Sequence, residues 1–207
     1  MLAALFDAAA RGTFPPADGR VDVVRPPRHV QAAVFAFTAH LVVATDAAAA
    51  DVHAVAPPGD FKAWGAVASW LAARANVPSL GGDVLLCARG DGRPLGIDLH
   101  PTDDFQHPRV ARASQYRDDV RVYVTTDRAG VLVLGRGVAG RHELAFEVDP
   151  DARNGGLGRA LVECALALVP AGDAVWAQVN PGNAASMRAV LAAGLRPVGH
   201  EQLVAHE

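Results

Sequence analysis

Lysine and cysteine are nearly absent from this chain, and each absence removes a class of functional site. The 19 basic residues include a single lysine, Lys62, so the Gly-Lys-Ser/Thr ending of a Walker phosphate loop is missing. The two cysteines, Cys87 and Cys164, stand in no metal-binding or redox spacing. Cys164 shares a helical face with leucines, which predicts a small core residue. The sequence therefore predicts neither a Walker-type nucleotide site nor thiol chemistry.

Long apolar runs and blocks of like charge are missing as well. No apolar stretch approaches the length that spans a bilayer, and Asp7 interrupts the apolar start of the chain. The formal net charge is −3, with no basic tail and no arginine stripe interleaved with aromatics. These absences predict a cytoplasmic protein with neither a membrane nor a nucleic acid as partner.

The composition that is present suits a folded core. The 207 residues are 51% hydrophobic, which is enough for one large domain or two small ones. A less regular segment from His100 to Tyr116 is the expected joint, which divides the chain into residues 1–115 and 116–207. The predicted elements of the first part are a helix over Leu2–Ala10, a strand over Val21–Val24, one or two buried strands within Val30–Thr45, helices over Asp46–Val55 and Asp60–Arg74, and a hairpin of Val84–Ala88 with Leu95–Leu99.

Two groups of side chains in the first part could be read as functional. An apolar stripe that begins at Phe61 is more simply the core face of a helix, with Asp60 as the cap. Carboxylates and imidazoles gather in the irregular segment, where they would suit a divalent metal. They follow no repeated spacing, so a solvated loop is the better interpretation and no metal is predicted at Asp98, His100, Asp103, Asp104 and His107.

Residues 116–207 show a regular succession of elements. The predicted order is three antiparallel strands (Val120–Thr126, Val131–Gly135, Glu143–Val148), a helix (Gly156–Val169), a strand (Ala174–Val179), a helix (Ala184–Ala193) and a last strand (Leu195–Val204). Asn183 is a candidate cap for the second helix, and Gly194 ends it.

The link between the third strand and its helix is rich in glycine. The strand stops at Pro150, and three glycines follow within four residues before the helix continues. Such a helix start presents unpaired backbone N–H groups and a positive dipole end, to which Arg153 and Arg159 add charge. It suits a phosphate group, although an ordinary turn is the alternative. A dinucleotide fingerprint is excluded, since it needs a small residue where Leu161 stands.

Two motifs in this part follow each other at a defined spacing. Arg153, Gly156 and Gly158 match the pattern Arg/Gln-x-x-Gly-x-Gly/Ala, with Val-x-Pro before it. Asn183-x-x-Ser186 is followed after seven residues by Gly-Leu-x-x-x-Gly. Over about residues 119 to 204 the chain therefore resembles the GNAT superfamily of N-acetyltransferases. The resemblance implies an α/β (α+β) GNAT fold, with a central mixed, mostly antiparallel sheet flanked by helices and, here, an extended N-terminal half.

The resemblance also implies acetyl-CoA as co-substrate, without a metal. In this family the main chain of two parting strands bonds the pantetheine arm, the glycine-rich loop holds the pyrophosphate, and the motif asparagine reaches the arm. The residues that this assigns to acetyl-CoA are Phe146, Val148, Arg153, Asn154, Gly155, Gly156, Leu157, Gly158, Arg159, Asn183 and Ser186.

Two positions where family members carry catalytic groups hold other residues in this chain. The usual tyrosine acid aligns with Val190, and the glutamate base of some members aligns with Gln178; neither can move a proton. Glu143 and Glu147 share a strand face by the period of two. GNAT enzymes often place a carboxylate in this strand, so the resemblance implies Glu143 first and Glu147 second as the base. A salt bridge to a nearby arginine is the alternative for both. His200 could reach a substrate amine, although a surface histidine is the simpler interpretation.

Two functions from different classes follow. The first is an N-acetyltransferase that moves an acetyl group from acetyl-CoA to a primary amine by direct transfer, with a small molecule or a peptide as acceptor. The second is a non-catalytic acyl-CoA-binding or regulatory module with a GNAT fold, favoured by the residues at the two replaced positions. The acceptor, the role of residues 1–115 and the oligomeric state, for which a homodimer is one candidate, stay open.

Overall fold

The computed structural model describes residues 1–60, 62–78, 81–103 and 106–204. Contacts divide it into two compact units, one of Met1–Leu85 with the chain from Val198 onwards, the other of Leu86–Pro197. This division follows packing and does not coincide with the joint expected near residue 115, so a functional division at that joint stays a prediction. Among the helices of the described residues, none combines the length and hydrophobicity that crossing a bilayer requires.

The helices and strands alternate along the chain. In order they are α1 (Leu2–Ala10), β1 (Val21–Val24), β2 (Ala32–Phe37), β3 (His40–Ala44), α2 (Ala49–Val55), α3 (Trp64–Ala75), β4 (Asp83–Arg89), β5 (Leu99–Thr102), α4 (Pro108–Tyr116), β6 (Asp118–Thr125), β7 (Gly130–Arg136), β8 (His142–Val148), α5 (Leu157–Leu168), β9 (Ala174–Val179), α6 (Ala184–Ala192) and β10 (Arg196–Val204).

In the first unit the strands lie in the order β1-β3-β2-β10. β1 is parallel to β3, and the other pairs are antiparallel. The apolar stretch at residues 30–45 forms two strands because the chain reverses at Ala39, whose φ is 50°. Helices α2 and α3 pack on β2 and β3 through an apolar cluster that includes Val43 and Val67. Strand alternation alone could not separate one strand from two, and the reversal at Ala39 decides it.

The cap predicted for α3 is wrong. The helix begins at Trp64, and Asp60 belongs to the preceding turn, where its carboxylate accepts a hydrogen bond from the N–H of Lys62 at 3.1 Å. The predicted core stripe is confirmed where it can be seen, since Val67 is buried and its helical neighbours pack with it. Phe61, at the start of that stripe, lies outside the described residues.

In the second unit the strands lie in the order β4-β9-β8-β7-β6-β5. Strands β5 to β8 are antiparallel neighbours, whereas β8 and β9 are parallel. Val131 and Val133 of β7 pack against Val110 of α4, while a side chain at Gly130 would meet Leu161 of α5. Because alternate residues of a strand face opposite ways, α4 and α5 cover opposite faces of this sheet.

The hairpin predicted for Val84–Ala88 with Leu95–Leu99 is wrong. After β4 the chain turns towards the β9 side, where the N–H of Gly90 donates to the carbonyl of Asp173 at 2.8 Å. Strand β5 pairs instead with β6, with Leu99 opposite Thr125. The segment expected to be irregular also contains α4, whose first turn is capped by the ring of His107.

The predicted fold class is confirmed, since the strands form a mixed, mostly antiparallel arrangement flanked by helices. The order of elements after α4 is also as predicted. Asn183 caps α6, and Gly194 ends it at a φ of 95°. Cys164 is a buried core residue as expected, and burial raises the pKa of the Cys87 thiol to about 11, which keeps it protonated.

Candidate functional site

The glycine-rich loop between β8 and α5 is open. Asn154, with a φ of 64°, and Gly156, with a φ of 87°, turn the chain into the helix through left-handed conformations. Gly156 occupies the N-cap position, and no side chain caps the helix. Apart from its chain neighbours, no described residue has an atom within 4 Å of the place that a Cβ on Gly156 would take. The space beside this glycine is therefore open.

The first-turn amides of α5 face this open corner. Those of Leu157, Gly158 and Arg159 precede the first helical bond, which runs from Ala160 N to Gly156 O at 3.1 Å. Gly158 lets the helix approach β8, because a Cβ there would stand 3.2 Å from a ring carbon of Phe146. The corner thus offers amide donors at the positive end of a helix, which is the arrangement an anion requires.

The two loop arginines are engaged by near neighbours. Arg153 donates through Nε to the carbonyl of Val148 at 3.2 Å, and Arg159 pairs through Nε with Glu163 at 2.7 Å. Both guanidinium groups lie at the surface. They supply positive charge near the loop, and the first-turn amides supply the uncapped hydrogen-bond donors.

The parallel strands β8 and β9 part soon after they meet. Their ladder contains two positions, His142 opposite Val175 and Glu143 opposite Trp176. On its other side, β8 pairs with β7 at every position from Val148 back to His142. From residue 144 onwards, one edge of β8 is therefore left unpaired towards β9. We call the point where the two strands separate the fork.

Arg117, which sequence reasoning missed, lies at the fork. Its Nε donates to Glu143 at 3.2 Å, and its Nη2 donates at 3.4 Å to the carbonyl of Leu144 and to the side-chain oxygen of Gln178. The guanidinium thus touches both strands where their ladder stops. Gly135 of β7 provides its space, because a Cβ there would stand 3.0 Å from the Cβ of Arg117.

Glu143 is buried in a double ion pair. One carboxylate oxygen accepts from Arg141 Nη2 at 2.6 Å and from the N–H of Val138 at 3.1 Å, while the other accepts from Arg117. Gly137 is required beside it, since any Cβ there would collide with the carboxylate. Burial raises the pKa of Glu143, but the two guanidinium groups together hold it below its usual range. This is the salt-bridge alternative, and it argues against Glu143 as the base.

Glu147 lies on the same face of β8 and is accessible. It pairs with Arg109 of α4 at 3.3 Å, and the two side chains are 41% and 39% exposed. The sequence ranked it second, and the geometry favours it over Glu143. His200 belongs to the first unit, where its ring lies 4.1 Å from that of Trp64 and burial lowers its pKa.

The second motif is built around the start of α6. Asn183 accepts a hydrogen bond from the N–H of Ser186 at 3.0 Å, so its oxygen is occupied in capping the helix. Val190 is fully buried in the same helix and has no proton to give. The two positions at which the resemblance implied an acid and a base therefore hold a core residue, Val190, and Gln178.

No group of three or more metal-ligating side chains comes together within the described ranges. His100 instead contacts Thr126 through its ring Nε2 at 2.9 Å. Asp104 of the irregular segment lies outside those ranges. The absence of a metal stays a prediction.

Comparison with known proteins adds little to this geometry. No family model matches the chain, and no curated protein matches it. Among solved structures, it is similar to a GCN5-related N-acetyltransferase from Kribbella flavida, at 16% sequence identity and a TM-score of 0.42. The similarity covers 59% of this chain and 56% of that one, so this chain spans little more than half of that protein's length. Activity has to be argued from the site.

Replacing Glu143 by glutamine should lower the free energy of unfolding at pH 7 by about 3 kcal/mol, since two buried guanidinium groups lose their shared carboxylate. The folded-state pKa lies below the ordinary value of 4.5, so this stabilisation is present above that value and is lost as the pH falls further. Urea unfolding from pH 7 to pH 3 should show the difference from the unmodified protein shrinking in acid. Glu147→Gln is the matched control and should cost less than about 1 kcal/mol. Equal losses for both variants would contradict a structural role of Glu143.

Proposed function

We propose that this chain is a GNAT-type N-acetyltransferase that moves an acetyl group from acetyl-CoA directly to a primary amine. The observation that carries the proposal is the early end of the ladder between β8 and β9, after Glu143 and Trp176. A free strand edge next to an uncapped, glycine-rich helix start offers both parts of a coenzyme A site. An ordinary strand-to-helix connection needs neither feature. In that case β8 and β9 would be free to pair along their whole length.

The residues of the chain divide into two groups for coenzyme binding. The amides from Asn154 to Arg159 would donate hydrogen bonds to the pyrophosphate oxygens, because no side chain caps the helix and the loop is open at Gly156. The free edge of β8 near Phe146 and Val148 would bond the pantetheine arm through main-chain groups. Since Arg153 already occupies the carbonyl of Val148, the N–H groups of this edge are the better candidates.

The acetyl thioester supplies the reactive carbonyl, and the chain must supply a proton acceptor for the amine. Glu147 would take that proton, since it is exposed, lies on β8 beyond the fork and is held only by a surface pair with Arg109. A neutral amine can then attack the carbonyl, and the tetrahedral intermediate would collapse as the C–S bond breaks and the nitrogen loses its second proton. Water would carry that proton to the leaving thiolate, because Val190 and Gln178 cannot donate one.

A second candidate is an acyl-CoA-binding module without catalysis. The observation that favours it is the burial of Val190, together with the hydrogen bond that ties Gln178 to Arg117. Both candidates need the loop and the fork, and they differ only in whether Glu147 moves a proton.

We further propose a small-molecule or peptide amine as the acceptor, a cytoplasmic location, and a homodimer as the oligomer to test.

Acetyl-CoA at about 100 times its Kd should raise the free energy of unfolding by about 2.7 kcal/mol. Gly155→Glu should abolish this stabilisation, because it places a carboxylate where the phosphates would lie. Gly155 suits the test because its φ is not left-handed and a Cβ there would approach only the carbonyl of Ala152, at 3.8 Å. Thermal unfolding with and without acetyl-CoA measures the effect.

The matched control for that experiment is Gly155→Gln, which has the same shape without the charge. It should keep most of the stabilisation by acetyl-CoA. Equal binding by the glutamate and glutamine variants would show that the loop does not hold the phosphates. A loss of stability in both variants without acetyl-CoA would point instead to the fold of the loop.

Glu147→Gln should lower kcat by about 10²- to 10⁴-fold at saturating acetyl-CoA, since a positioned base contributes that much. Thiol release with a panel of primary amines and short peptides measures kcat, and stabilisation by acetyl-CoA should survive in the variant. Asp7→Asn, which changes an exposed carboxylate on α1, is the control. Stabilisation by acetyl-CoA without thiol release on any amine would favour the binding module. No stabilisation would count against both functions.

A further inference from the structure

Two buried hydrogen-bond donors at the fork have no protein partner. Within the part of the chain that the structure describes, Arg117 Nη1 and Gln178 Nε2 donate to nothing. The Arg117 side chain is only 9% exposed, so bulk water does not readily serve its guanidinium. Buried donors without an acceptor are rare in folded proteins, and each one needs an explanation. A ligand that enters the fork would provide it.

The two donors lie close together. The side-chain oxygen of Gln178 accepts a hydrogen bond from Arg117 Nη2. The amide nitrogen of Gln178 is bonded to the same carbon as that oxygen, so it also lies near the guanidinium group. Leu144, the other acceptor of Nη2, is the first residue of β8 beyond the ladder. Both donors therefore lie where the strands separate, on the face of β8 that carries Glu143 and, further along, Glu147.

The charge of Arg117 is only partly matched. Its contact with Glu143 uses Nε alone, at 3.2 Å, and that carboxylate is shared with Arg141. The Nη edge meets two neutral oxygens at 3.4 Å, which is long for an N–H···O bond. A guanidinium edge of this kind binds a carboxylate through two parallel hydrogen bonds. With Nη1 unpartnered and Nη2 held only by long bonds, this edge suits an anionic group better than a neutral one.

We propose that the acceptor is an amino acid, that is, a primary amine whose own carboxylate binds the Nη edge of Arg117 and the amide nitrogen of Gln178. The inference rests on the proposed function and narrows its substrate class. Arg117 and Gln178 hold the carboxylate at the base of the fork. The amine then points along β8 towards Glu147, which lies on the same face.

The test compares each amino acid with its amide, which keeps the amine and removes the carboxylate. Glycine, L-alanine, L-phenylalanine, β-alanine and 4-aminobutyrate are assayed against their amides for kcat/KM of thiol release. At least one acid should exceed its amide by about ten-fold or more, as one charge-assisted hydrogen bond yields. The amine of an amide loses its proton more readily, so the comparison is biased against this result.

Gln178→Glu provides the decisive variant. It keeps the shape of the side chain and the pair of Arg117 with Glu143, but it places a negative charge beside the Nη edge. The preference for acid over amide should fall to about one-fold or reverse. Gln178→Met, the uncharged control, should reduce the preference by only a few-fold. The ratio is the readout because a general loss of folding lowers both rates together, and Arg117→Gln can be added if it folds.

The outcomes separate this inference from the function on which it rests. If acetyl-CoA stabilises the protein but no acid exceeds its amide, or no acid reacts, the inference is overturned and coenzyme binding stands. An acid preference that Gln178→Glu leaves unchanged also overturns it, because the carboxylate would then bind elsewhere. If acetyl-CoA does not stabilise the protein, the proposed function fails and this inference fails with it.

Discussion

The buried ion pair of Glu143 with Arg117 and Arg141 is the interaction on which the candidate site depends. A carboxylate and two guanidinium groups are costly to remove from water, so their positions must be fixed by several hydrogen bonds at once. Glu143 obtains these from both arginines and from the N–H of Val138. The ion pair thereby holds Arg117 at the carbonyl of Leu144, which in a continuous sheet would pair with β9. The guanidinium of Arg117 takes the place of that pairing at the point where β8 and β9 separate.

Parting the strands gives the two faces of this sheet different tasks. On one face, α5 begins in uncapped amides beside Phe146, with Gly158 allowing the close approach. On the other face, α4 brings Arg109 to Glu147. Under the proposed function, a substrate that lies between the two strands would keep its phosphates at one face while its reactive end meets acidic and basic side chains at the other. Such a division of tasks requires the gap and cannot be built on a closed ladder.

The sequence was informative where local patterns decide structure and uninformative where distant residues meet. Alternating apolar residues and the glycines near Gly156 predicted the order of strands, loop and helices after α4 correctly. The period of two placed Glu143 and Glu147 on one face, but it carries no information on partners. Arg117 reaches Glu143 across 26 residues and Gln178 across 61, so no local pattern could reveal it. The wrong hairpin at β4 has the same origin, because β5 pairs with β6, whose paired residues lie 20 or more positions further along the chain.

The residue at position 178 can now be understood from its neighbour. A glutamate at this position would pair with Arg117 and neutralise the charge that Glu143 leaves unmatched. Glutamine accepts one hydrogen bond from Arg117 without cancelling its charge, and it turns a second donor towards the fork. Under the proposed function, in which Glu147 is the base, the two donors at the fork would serve to bind an anion. Within the two proposals, glutamine at this position is explained by the substrate that the fork would bind and does not require a loss of activity.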